Sequence, residues 1–278
     1  MKKILLAIVF CFCTVALVQG QTTGTFKTMQ FENGLTMHVF ITTEGPGDIA
    51  YVLESKDSLV LFELPSIHHL SRQLKEYVEG LNKPVSAILV GYHVGGASYY
   101  PNVPIYASQY ALDFIESGQE MKVRQSIADN TTDFDLNVVK PDHIVTADKM
   151  TIGNIEFIFV APTTSPIPGM NVVIPSINAY YQHVLGAGSH PYLLSLEHID
   201  KVIAELEVQQ KGDYAFFMDS HNGIEAPEAH AQKIAYLQKL KQIRANSADE
   251  ATFVKNVQTA FPQYKPGMLS ATAKSLYK

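Results

Sequence analysis

The sequence predicts an α/β fold in which two sheets pack face to face with helices outside. Strand-like segments cluster in each half of the chain, and each cluster is followed by helical periodicity. No Ser/Gly-rich linker or low-complexity tract divides the halves, so residues 21–278 are expected to form one domain.

In chain order, residues 35–41 and 49–53 alternate as strands, the first opened by the turn pair Asn33-Gly34. Residues 58–64 form a third strand. Residues 69–81 carry Leu70, Leu74, Tyr77 and Val78 at helical spacing. An apolar run at 88–90 reads as a buried strand, followed by a short strand at 104–107 and a helix at about 109–116. The second half repeats the style, with strands at 144–145, 150–152, 155–160, 171–174, 179–185 and 214–218. Helices are expected at about 196–210, 226–245 and 249–261, with Pro227 suited to a first turn.

The first 20 residues read as a secretory leader. Lys2 and Lys3 are followed by an apolar run at 4–18 and a small residue, Gly20, at the expected cleavage point. That run is too short for a comfortable membrane span, and no second run of that length follows. The expectation is a periplasmic or secreted protein that begins at Gln21 and has no membrane association after cleavage. Both cysteines, Cys11 and Cys13, lie in the leader. The mature chain would then offer neither a thiolate nucleophile nor cysteine metal ligands. Removing two of 21 basic residues leaves 19 against 27 acidic ones, a formal charge of −8. With no Lys/Arg cluster, nucleic acid is not an expected partner; a small molecule is.

Histidines stand at strand ends or in the loops beyond them: His93, His183, His190 and His221. Neutral imidazole ligates zinc, and three protein ligands plus water make a catalytic zinc site. Singly, each such histidine is more often hydrogen-bonded or exposed than a ligand.

The order of segments resembles a secreted branch of the metallo-β-lactamase fold, which implies an αββα sandwich. Residues 60–65 (Val-Leu-Phe-Glu-Leu-Pro) resemble the family strand that ends in an aspartate, with Glu63 in its place. Residues 95–108 resemble the segment immediately C-terminal to the family's His-x-His-x-Asp-His motif. Residues 171–175, 190–193 and 220–223 resemble later family segments, as does the tail at 248–264.

The metal motif departs from the family pattern. His93 takes the motif's last histidine and Tyr92 its aspartate. Val90 and Ile88 fall on the first two histidines, unless a short deletion is present; in either register those ligands are missing. Thr164 or Ser165 replaces the next histidine. The resemblance therefore implies no two-metal centre. The second site reads Tyr92, His93, His183 and His221, which implies at most one zinc, held by His93, His183 and His221. Tyr92 and His190 are candidate substrate-binding residues. The resemblance leaves two functions open: a hydrolase using one metal in a remodelled site, or a non-catalytic protein that binds a small molecule in the retained cleft. A partner-binding module without a small-molecule site is a third class.

Overall fold

A computed structural model describes residues 23–44, 47–92, 94–161, 169–183, 186–265 and 267–278. The leader, His93, Thr164 and Ser165 lie outside the described residues.

The first sheet runs in chain order: β1 (Thr25–Gln30), β2 (Thr36–Ile41), β3 (Ile49–Glu54), β4 (Leu59–Phe62), β5 (Val85–Leu89), β6 (Ile105–Ala107) and β7 (His143–Ile144). Pairing is antiparallel through β4 and parallel from β4 to β7. Parallel neighbours need a crossover. Between β4 and β5 it is α1 (His68–Gly80). Between β6 and β7 it includes α2 (Gln109–Glu116) and α3 (Gln119–Ala128).

The second sheet contains β8 (Lys149–Ile152), β9 (Ile155–Val160), β10 (Asn171–Ile174), β11 (Ala179–Tyr181), β12 (Phe216–Asp219) and β13 (Gly223–Glu225), in the order β13-β12-β11-β10-β9-β8. Its parallel pair, β11 and β12, is joined through α4 (Leu196–Gln210). The chain closes with α5 (Glu228–Ala245), α6 (Glu250–Ala260) and α7 (Leu269–Leu276).

Strand alternation sorts side chains into layers. Val60, Phe62 and Leu89 join Phe157, Val172, Tyr181 and Met218 between the sheets. Leu59, Leu61, Ile88 and Val90 face the other way, onto Leu70, Leu74 and Val78 of α1. Tyr180 and Phe217 pack on Ile199, Leu237, Leu240 and Phe253 of the outer helices. The result is the expected αββα sandwich.

Several element limits differ from the sequence reading. The strand expected at 179–185 ends at Tyr181, because the chain there turns to present His183. Strand β1 went unread because its side chains are half exposed and carry little apolar pattern. Strand β13 and helix α7 are short, and α3 defeats periodicity outright: its fully buried residues are Glu120 and Arg124, while Met121 and Val123 face solvent.

Candidate functional site

The site forms where β4, β5, β11 and β12 end. Glu63 directly follows β4 with φ 54°, a left-handed conformation that costs a non-glycine residue of order 1 kcal/mol. Its buried carboxyl accepts two hydrogen bonds at Oε1, from the Gly91 N–H at 2.7 Å and the Tyr181 hydroxyl at 2.5 Å. A Cβ at position 91 would sit 2.3 Å from that oxygen and 2.5 Å from the phenol. Gly91 thus permits the close approach, and protein atoms fill the space it leaves.

Tyr181 has one proton, which goes to Glu63. The Ser220 hydroxyl, 2.6 Å away, then donates to the phenol oxygen. Burial first, and Glu63 second, hold the Tyr181 phenol far above its ordinary range, so it remains a donor. His183 Nδ1 lies 3.4 Å from the phenol and 3.6 Å from Glu63. The latter distance invites an ion pair. Burial, reinforced by the neighbouring His221, pushes the His183 pKa well down, and a neutral imidazole is the better description.

The His183 and His221 rings meet edge to face with centroids 5.0 Å apart. Tyr92 packs on His183 at 5.1 Å and on Phe114 at 5.3 Å. Asp219 arranges the two histidine loops. Its Oδ1 accepts from the backbone N–H of His221 and Asn222, and its Oδ2 from Gly186. Tyr51 bridges to the Asp219 backbone, donating to its carbonyl at 2.8 Å. Asp48 spends Oδ2 on the Ser66 N–H, and its Oδ1 lies 3.9 Å from His221 Nδ1.

Of the sequence candidates, His183, His221 and Tyr92 come together, and His93 lies outside the described residues. His190 sits elsewhere: it is buried, its Nδ1 is 2.8 Å from the Tyr236 hydroxyl, and its ring packs on Tyr264. Burial, then Lys233, lowers its pKa to about 4. Lys233 is itself buried and clamps this segment by donating to the carbonyls of Gly186 and Ser189. Ile88 and Val90 are core residues packed with Leu70, Leu74 and Val78 of α1.

The described carboxylate oxygens near the two imidazoles are largely engaged within the protein. Glu63 Oε1 is engaged by Tyr181 and Gly91, Asp219 is used by backbone amides, and Asp48 is half used by Ser66. Among the described residues that leaves two imidazoles, His183 and His221; the third candidate ligand, His93, lies outside them. Among the described residues no group of three or more His, Asp or Glu is arranged to hold a metal ion.

Sequence reasoning did not single out Tyr181, Ser220, Asp48 or Asp219 as site residues. Strand period was the available signal for Tyr181: on β11 it faces the layer between the sheets, whereas Tyr180 faces the helices.

No protein-family model and no curated protein sequence matches the chain. Solved structures do. A sec-alkylsulfatase from Pseudomonas sp. superposes with a TM-score of 0.59 at 16% identity, covering 91% of this chain and 48% of the sulfatase. This chain therefore spans about half the length of that enzyme. A metallo-β-lactamase from Pontibacter korlensis gives a TM-score of 0.56 at 13% identity, covering 77% of this chain and 99% of the other. One from Erythrobacter litoralis gives 0.55 at 15% identity, covering 77% and 96%. Together with the layer order and the strand-end cluster, these likenesses establish that this chain has the metallo-β-lactamase fold.

Proposed function

We propose that this protein is a non-hydrolytic binding protein built on a hydrolase fold, taking a small molecule beside Tyr92, His183 and His221. One observation carries the reading: the Tyr181 phenol sits on Glu63 at 2.5 Å, with Gly91 closed against both. A carboxylate oxygen that already accepts from a phenol and a backbone amide is a poor ligand for a metal and a poor base for an attacking water. The expected leader at 1–20 supports a periplasmic or secreted location, and no described helix is long and apolar enough to cross a membrane.

The alternative is a hydrolase with one zinc on His93, His183 and His221. It is favoured by the 5.0 Å approach of two of those rings and by the neutrality of His183. Assays of purified protein on β-lactam, carboxylic-ester and alkyl-sulfate probes, with and without added zinc, separate the two. The binding reading expects no turnover above buffer. Zinc-dependent turnover that disappears in His183→Ala would replace it with the one-metal hydrolase.

A further inference from the structure

Helix α3 turns a charged face inward. Glu120 and Arg124, one helical turn apart, are 1% and 2% exposed. They do not close on each other: Arg124 Nη1 lies 3.5 Å from Glu120 Oε1, too long for a good hydrogen bond. Arg124 spends Nη2 on the Asp135 carbonyl. Its Nε and Nη1, and both Glu120 oxygens, have no hydrogen-bond partner among the described residues. Buried charged groups left this way are costly, which argues that something other than these side chains completes them.

Space for it exists. Glu120 and Arg124 line a cavity of about 20 Å³ with Ser66, Tyr92, Val123, Ile127 and Phe134. A water needs roughly 10–15 Å³ and two to four polar partners. A cation there would face the guanidinium, and an anion would face the carboxyl. A neutral group that both donates and accepts satisfies the two at once. Val123, Ile127 and Phe134 leave an apolar wall for a short carbon stem. Tyr92, which packs on His183, also lines this space, so the cavity adjoins the strand-end site.

We propose that this cavity is a subsite for a hydroxyl group, which donates to Glu120 and accepts from Arg124, held by water in the free protein and by a small alcohol or alcohol-bearing ligand in the bound one. The subsite does not depend on whether the strand-end site holds a metal.

Crystal structures of the free protein and of crystals soaked in methanol test it, alongside the double variant Glu120→Leu/Arg124→Met, which makes both partners apolar. The expected result is one ordered water about 2.7–3.2 Å from both groups. Methanol oxygen should replace it, and the double variant should hold neither. Direct two-point pairing of Glu120 with Arg124, or an empty cavity, would overturn the proposal. So would a water that methanol does not replace. Methanol bound equally in the double variant would mark an adventitious additive only and would also overturn it. Should the double variant fail to fold, Glu120→Gln, which keeps an acceptor oxygen, is expected to retain the water, and its loss would count against the subsite. Zinc content and turnover are read separately, so failure here leaves the binding reading standing.

Discussion

Two buried carboxyls approach the segment at 91–92, and they are treated differently. Glu63 Oε1 accepts from a phenol and a backbone amide, with Ser220 behind the phenol. Glu120 receives no hydrogen bond from the described residues and faces a water-sized space. Folding itself gives one oxygen of the first carboxyl two donors. The second is left for a group the described residues do not supply. In a buried position the cost of an unmet polar group is larger than the gain from an ordinary hydrogen bond, so which partners are missing says more than which are present.

The sharpest way to break this contrast is Glu63→Ala. It removes the shared acceptor of the Tyr181 hydroxyl and the Gly91 amide and opens a cavity, so urea denaturation should show a loss of about 3 kcal/mol or more. A loss under about 1 kcal/mol would mean that the two donors at Glu63 Oε1 contribute little to folding.

Acid should weaken the protein by a similar amount per ring through its buried histidines. Burial holds His230 at about pKa 4, and burial with Lys233 holds His190 there too, against an ordinary value of 6.5; His183 and His38 are also lowered, chiefly by burial. In each case the unfolded chain takes up a proton before the folded one does. Stability is therefore full above about pH 6.5 and falls as pH drops toward 4, by on the order of 3 kcal/mol for each ring held at about 4. Thermal melts across that window should show the decline, and a flat profile would contradict neutral burial of these rings.

Tyr181→Phe is the milder cut into the Glu63 cluster. It removes one donor and keeps the ring, so roughly 1–2 kcal/mol is expected in the same denaturation assay. The smallest effect belongs to the other carboxyl. Glu120→Leu/Arg124→Met should change stability by less than about 1 kcal/mol or raise it, because an imperfect buried ion pair is replaced by apolar packing. A loss above about 2 kcal/mol would show that the pair itself stabilises α3 and erase the contrast with Glu63.

The fold was legible because it is written locally. Apolar alternation in β2 to β5, and helical spacing at Leu70, Leu74 and Val78, need no tertiary knowledge. The histidines were legible for the same reason: His183 and His221 each stand just beyond a strand. What sequence could not reveal was the closure. Tyr181 reaches Glu63 across 118 residues of chain, and neither the short phenol contact nor the fit of Gly91 leaves a local pattern. Helix α3 stayed hidden for the opposite reason, since it buries charges where periodicity looks for apolar side chains.

The proposal that the strand-end cluster holds no metal rests on the Tyr181–Glu63 contact. Native mass spectrometry of the purified chain, equilibrated with excess zinc and then desalted, tests it most directly. The account predicts zinc well below one ion per chain, unchanged by chelator and unchanged in Tyr181→Phe. One or two zinc ions per chain, removed by chelator and lost in His183→Ala, would contradict it.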